Sequence, residues 1–312
     1  MKRRSVVFTG QGSQFCGMGR DFYDSYPESR DVFERASDAI GLDMTSLCFL
    51  PNELLDQTEY TQPAILTTEV AMFTALQKYH DLHPLYFAGH SLGEYSALVA
   101  AGVLQLEDAV KIVRKRGHLM QCAMAQGSGA MAAIILENLA LLDAESIVAE
   151  SGAEIANFNS KDQVVISGTK ESVSAACKVF GKSHPEARIV PLNVSAPFHS
   201  HHMNTSKRAF KKYLESFSRS VNYTNAGRVL SNYTGTFHSG PTLLGSLVSQ
   251  IAAPVRWLDN MRLLEISSDE VYEVGPQRVL GKFFSSIGVS CPSIFDGRSL
   301  ARSFANECRH AI

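Results

Sequence analysis

The chain has 312 residues, 45% hydrophobic and 19% charged, proportions that suit one large domain, or one domain carrying an insertion, around a substantial core. A formal net charge of −2 and a pI near 6.6 give no electrostatic case for nucleic acid or an anionic membrane as partner. No apolar run is long and clean enough to span a bilayer, and six cysteines scattered without a C-x-x-C pair, with no secretory leader ahead of them, are expected to be reduced thiols in the cytoplasm.

In chain order, Ser5 to Thr9 reads as a strand and runs straight into Gly10-Gln11-Gly12-Ser13-Gln14. That spacing fits neither G-x-G-x-x-G nor the P-loop, and no Lys-Ser/Thr follows. The turn is read as a loop of backbone donors, with a plain surface turn as the alternative. Apolar residues at helical spacing predict helices over Tyr23 to Asp43 and Pro63 to Tyr79, and Leu85 to Ala88 predicts a second strand. This alternation is that of a layered α/β unit with a largely parallel sheet.

The second strand ends in Gly89-His90-Ser91-Leu92-Gly93, and a small-residue helix begins at about Glu94. This is the G-x-S-x-G pattern of a nucleophile elbow, with Ser91 on the sharp strand-to-helix turn. Side chains in place of the flanking glycines would collide with the incoming helix or demand costly backbone angles. Ser91 then stands at the carboxyl edge of the sheet, where such folds place ligands, and amides at the helix start can hold an acyl oxyanion.

A helix follows over about Leu106 to Ala125. Val113, Arg116 and Met120 share one face with Ala109, while Lys111, Arg114, Lys115 and His118 lie toward the other. One arginine therefore faces inward, where its planar fork suits a carboxylate; that carboxylate is either a ligand's or a protein side chain's in an internal salt bridge.

From about Gly129 to Asn193 the texture changes. Strands are predicted over Met131 to Leu136, Glu154 to Phe158, Gln163 to Ser167 and Ala187 to Leu192, and helices over Leu141 to Glu150 and Glu171 to Phe180. The order β-α-β-β-α-β is that of a ferredoxin-like unit. The expected division is residues 1–127 as the first part of a large α/β subdomain, 128–194 as the inserted small subdomain, and 195–312 as the second part of the large one.

Directly after the insertion stands Ser195-Ala196-Pro197-Phe198-His199-Ser200-His201-His202-Met203, at a junction where a ligand cleft is expected. Neither carboxylate nor Cys joins these histidines at metal-ligand spacing, so no metal is expected. A neutral imidazole acting as base toward Ser91 is the better reading, because a serine hydroxyl is a poor nucleophile unaided. The remainder alternates again. Arg228 to Asn232, Glu270 to Glu273 and Ser293 to Phe295 are predicted strands; Leu243 to Ala252, Trp257 to Ile266, Val279 to Ile287 and a segment from about Ser299 are predicted helices.

Over nearly its whole length the chain resembles the malonyl-CoA:acyl carrier protein transacylases of fatty acid synthesis and the stand-alone acyltransferases that serve polyketide synthases. The resemblance rests on Gly10-Gln11-Gly12-Ser13-Gln14, Gly89-His90-Ser91-Leu92-Gly93-Glu94-Tyr95-Ser96-Ala97, Arg116-Gly117 with Met120-Gln121, Asn157-Phe158-Asn159-Ser160 with Val165-Ile166-Ser167-Gly168, Pro197-Phe198-His199-Ser200 and Glu273-Val274-Gly275-Pro276, in that order. It implies Ser91 as nucleophile, His199 as its general base, the backbone amides of Gln11 and Leu92 as oxyanion hole, and Arg116 as the group that binds a malonyl carboxylate. Gln250 matches the residue whose backbone carbonyl orients the histidine, and Phe198 and His90 would shape the acyl pocket. Thr9 stands where the family usually has proline, Gln277 replaces a frequent glycine, and Tyr233 sits where a smaller residue is common.

The reaction so implied is a ping-pong exchange from malonyl-CoA to the phosphopantetheine thiol of an acyl carrier protein through a malonyl-Ser91 ester, with no metal or redox cofactor, in a soluble monomer without nucleic-acid or membrane partners. The alternative is an acyl hydrolase on the same fold that clears acyl groups from carrier proteins. An inward arginine has no use in a hydrolase of neutral chains, so it favours transfer. Lys182, Lys207, Arg208, Lys211 and Lys212 are candidate contacts for an acidic carrier protein, the plainer alternative being a solvated helix face.

Overall fold

A computed structural model describes residues 2–125, 127–139, 144–194 and 196–304. Among these residues eight strands make two sheets. β1 (Arg4–Phe8), β2 (Tyr86–Gly89), β7 (Glu270–Val274) and β8 (Ser293–Ile294) form a parallel sheet in the order β2-β1-β7-β8. β3 (Gly129–Ile135), β4 (Glu154–Ser160), β5 (Gln163–Thr169) and β6 (Arg188–Pro191) form an antiparallel sheet in the order β4-β5-β3-β6. The fold is therefore α/β, a mostly parallel sheet with an inserted ferredoxin-like unit, as expected from the sequence.

Because side chains alternate across a strand, each sheet serves two layers. In β1, Val6 and Phe8 face the main core under helices Pro27–Ile40, Thr58–Tyr79 and Leu106–Gln121, while Val7 faces a second core with Trp257, Leu264 and Phe284. Both faces of this sheet are covered, as a parallel sheet requires. In β3, Ala132 and Ile134 pack against Val148, Val173 and Phe180 of the two helices on that sheet, whereas Met131 and Ala133 point the other way and line a cleft. One face of the antiparallel sheet is thus a wall of the cleft at the carboxyl edge of the parallel sheet.

The boundaries differ where local chemistry overrides periodicity. The helix expected over Tyr23 to Asp43 is two, Arg20–Ser25 and Pro27–Ile40, broken at extended Tyr26 before Pro27. Gly41 ends the second in the left-handed region (φ 62°), and Asp43 opens an unforeseen helix, Met44–Phe49, by accepting the Thr45 and Ser46 amides. The next begins at Thr58 with Pro63 inside it, and a helix not foreseen as an element, Asn204–Glu215, follows the histidine segment.

Arg228 to Asn232 is not a strand. The segment follows a 3₁₀ turn over Tyr223–Arg228 and makes single bridges, Val229 to Phe87 and Leu230 to Phe237. Its backbone donors are taken up otherwise: Ser231 by the Thr236 carbonyl and Asn232 by the Glu94 carboxylate. Residues 141–143 of the helix expected from Leu141, and Ser195, lie outside the described residues.

Candidate active site

Gly89 and Gly93 show why this turn has its sequence. A Cβ on Gly89 would lie 1.9 Å from the Gly93 carbonyl carbon, and one on Gly93 would lie 2.3 Å from the Thr9 carbonyl oxygen. With both absent, helix Gly93–Ala100 packs directly on the strand ends. Ser91 takes up the turn at φ 53°, a left-handed conformation rare for a side-chain-bearing residue. His199 is also left-handed, at φ 57°, within a turn tied by the Ser200 hydroxyl donating to the Pro197 carbonyl at 2.6 Å.

Ser91 Oγ and His199 Nε2 are 2.8 Å apart, and His199 Nδ1 lies 2.8 Å from the Gln250 carbonyl oxygen. A carbonyl only accepts, so Nδ1 carries the ring proton and Nε2 is left as the acceptor for the Ser91 hydroxyl. Burial, and secondarily the charge of Arg116, lowers His199 to about 3, so the ring is neutral at physiological pH. Serine, imidazole and backbone carbonyl form a connected line.

Arg116 is 1% exposed. Its Nη1 donates to Gln62 Oε1 at 3.0 Å, and its Nη2 to Gln250 Oε1 at 2.8 Å and Ser91 Oγ at 3.0 Å. Nε has no partner, and the guanidinium lies 5.5 Å from the Tyr95 ring centroid. Among the described residues no carboxylate pairs with it, so the internal salt bridge that the sequence left open is not formed.

The Gln11 and Leu92 amides donate to no acceptor among the described residues, whereas the Ser91 amide donates to Asn232 Oδ1 at 2.6 Å. The Gly-Gln-Gly turn is anchored by Gln11 Nε2, which donates to Thr58 Oγ1 at 3.0 Å. Gln11, Leu92, Ser91, Arg116, His199, Phe198 and His90 all line one cleft of about 260 Å³. His90 Nε2 is 2.8 Å from Asn159 Oδ1, and burial lowers its pKa.

The histidine cluster divides. His201 pairs through Nδ1 with Glu154, and its ring lies 3.9 Å from that of His202, while His199 alone turns to Ser91. Sequence reading did not place a carboxylate beside His201, because Glu154 comes from β4, far away in the chain. It also assigned nothing to Gln62, Glu94 or Asn232. Only Glu94, inside the elbow motif, carried a visible signal.

The departures from the family pattern sit outside the cleft. Thr9 uses its hydroxyl where a proline would have none, donating to Glu69 Oε1 at 2.5 Å, and burial pushes Glu69 up to about 8. Gln277 and Tyr233 are exposed.

Residues 6–234 match the family model described as acyl transferase domain. The malonyl CoA-acyl carrier protein transacylase of Haemophilus influenzae is 42% identical over 90% of this chain and 90% of its own. The polyketide biosynthesis malonyl CoA-acyl carrier protein transacylase BaeC of Bacillus velezensis is 39% identical over 88% and 93%. Among solved structures, the malonyl-CoA:acyl carrier protein transacylase of Xanthomonas oryzae superposes with a TM-score of 0.92 at 33% identity, covering 98% of both chains. A malonyl-transacylase solved in complex with its type II polyketide synthase acyl-carrier protein gives 0.89 at 35% identity, covering 97% and 99%. The chain therefore belongs to the malonyl CoA-acyl carrier protein transacylase family of acyl transferases.

Proposed function

We propose that this protein moves a malonyl group from malonyl-CoA to the phosphopantetheine thiol of an acyl carrier protein through a malonyl-Ser91 ester. His199 takes the Ser91 proton as the hydroxyl attacks the thioester carbonyl, the oxyanion is held by the Gln11 and Leu92 amides, and the CoA thiolate leaves with the proton from His199. The carrier-protein thiol then gives its proton to His199 and attacks the ester, and Ser91 recovers its hydroxyl. Phe198 and His90 bound the acyl pocket.

The observation that carries this reading is Arg116, a buried cation that no carboxylate among the described residues contacts directly, with Nη2 3.0 Å from the nucleophile. A malonyl group esterified to Ser91 brings a carboxylate to that place, and the charge-assisted pair compensates both ions. A hydrolase of neutral acyl chains gains nothing from it. The same reading divides the chain at 127/128 and 194/195, supported by the confinement of β3 to β6 to residues 129–191 and by the parallel pairing of β1 with β7 across the insertion.

The test is Arg116→Ala, with Ser91 loading from malonyl-CoA and from acetyl-CoA followed by intact-mass measurement. Leaving a substrate charge unpaired in a desolvated site costs on the order of 3–5 kcal/mol, so malonyl loading is expected to fall by about 10²–10⁴-fold while acetyl loading holds or rises. Arg116→Lys should restore only part, since a point charge lacks the two-pronged contact. Equal losses with a lowered melting temperature would return Arg116 to a scaffold role.

Carrier-protein docking is expected to depend on salt. Lys207, Arg208, Lys211 and Lys212 lie on helix Asn204–Glu215, which follows the His199 turn, and Lys182 lies on helix Lys170–Ser183. Rim charges act mainly on association, so kcat/KM for the carrier protein should fall with ionic strength while that for free pantetheine does not. Equal salt insensitivity with both acceptors would count against electrostatic docking.

A further inference from the structure

Arg116 is the one buried arginine or lysine among the described residues, and burial pulls its pKa down while Tyr95 and Glu94 hold it up. The route from Glu94 to it is a single side chain. Gln250 Oε1 accepts from Arg116 Nη2 at 2.8 Å, and Gln250 Nε2 donates to Glu94 Oε2 at 2.6 Å and to the Ser91 carbonyl at 3.0 Å. Glu94 is fully buried; its Oε2 also accepts the Asn232 amide at 3.0 Å, and its Oε1 faces His238 Nε2 at 2.7 Å.

An amide has one accepting end and one donating end, so its orientation matters here. Flipped, Gln250 would set its NH2 against the guanidinium and its oxygen against the carboxylate, two repulsive contacts in a buried network. Glu94 therefore decides which end meets Arg116. His238 Nδ1 is buried without a partner, which favours a ring that donates from Nε2 and keeps Nδ1 as a bare acceptor, since an unpaired N–H is the costlier alternative. The negative charge of Glu94 is then left to Arg116.

We propose that Glu94 is a positioning residue for recognition of the substrate carboxylate: through the Gln250 amide it fixes the Arg116 guanidinium beside Ser91 and supplies the counter-charge that lets this cation stay buried. The proposal rests on the malonyl reading of Arg116 above. In a two-step relay of this kind, removing the carboxylate frees the amide to turn, and the guanidinium loses its fixed orientation.

The experiment measures Ser91 loading from malonyl-CoA and from acetyl-CoA in the full chain for the wild type, Glu94→Gln, Gln250→Met and the double variant. Gln250→Met removes the relay and keeps the backbone carbonyl that holds His199. The malonyl-over-acetyl ratio is expected to fall on the order of tenfold in each single variant, with no further fall in the double, because Glu94 acts through Gln250. A merely structural Glu94 lowers both loadings together at constant ratio; that outcome, or losses that multiply in the double variant, overturns the proposal. Were Glu94→Gln too unstable to isolate, Glu94→Asp keeps the charge but withdraws it by one methylene, and an unchanged ratio there is equally fatal. A wild-type ratio that Arg116→Ala leaves untouched counts against the malonyl reading itself, whereas an Arg116-dependent ratio indifferent to Glu94 counts against Glu94 alone.

Discussion

Ser91→Ala is expected to abolish the covalent acyl-enzyme and to lower transfer by about 10⁴–10⁶-fold, the scale on which removal of a nucleophile acts in hydroxyl-based covalent catalysis. The fold should survive. Alanine at φ 53° meets the same left-handed strain that serine already bears, and Gly89 and Gly93, which let the helix close on the strand, are untouched. The hydroxyl's two neighbours, His199 Nε2 and Arg116 Nη2, lose this partner but keep their bonds to Gln250 at the ring's Nδ1 and at Nη2, so the melting temperature should shift by a few degrees at most. Intact-mass analysis after incubation with malonyl-CoA reads the result, and a malonyl adduct that persists on the variant would remove Ser91 from the mechanism.

His199→Ala should cost a comparable factor, and the neighbouring histidines should not. His201 faces Glu154 and the His202 ring lies tilted against that of His201, so His201→Ala and His202→Ala are expected to stay within a few-fold of wild type. The pH profile gives a second, independent reading. A general base must be neutral, and His199 lies at about 3 instead of 6.5 because it is buried and because Arg116 repels its protonated form. The loading rate should therefore show no inflection near 6.5, its acid limb lying well below. Stability follows the same linkage: between 6.5 and about 3 the unfolded chain binds a proton at this residue that the folded chain does not. The contribution is complete above the unfolded value and is lost as pH falls through that window. A titration of loading near 6.5 that vanishes in His199→Ala would contradict the buried, neutral imidazole.

On the proposed reading, a malonyl carboxylate on the Arg116 guanidinium would offset the repulsion that Arg116 exerts on an imidazolium at His199, an effect that an acetyl group would not provide. Accepting the Ser91 proton would then be easier with malonyl bound, adding a rate component to a difference in binding.

The parts legible in the sequence are those whose chemistry is local. The elbow was readable because only glycine fits at positions 89 and 93, where a Cβ would lie 1.9 and 2.3 Å from backbone atoms, and because the motif bundles strand, turn and helix in a few residues. The inward face of Arg116 was readable from its spacing to Ala109, Val113 and Met120, all of which are buried with it. The insertion showed itself in the order of its strands and helices. The limits of these readings were local too: Tyr26 before Pro27 divided one helix, and Asp43 capped another that the apolar pattern did not announce.

What the sequence left undecided concerned partners far apart in the chain. Arg228 to Asn232 has the composition of a strand, but the Glu94 carboxylate and the Thr236 carbonyl take its amides, and nothing local reports that. Arg116 had two candidate partners, a protein carboxylate or a ligand's; the packing puts Gln62 and Gln250 against it and pairs no described carboxylate with it. Composition did not separate the three histidines, and the resemblance alone pointed to His199; in three dimensions the turn at His199, with the Gln250 carbonyl behind it, sets it apart from the other two. Periodicity and motifs encode which face a side chain takes, because that depends on neighbours within a few residues; which group it meets there depends on a second segment brought in by the fold, and that is settled only in three dimensions.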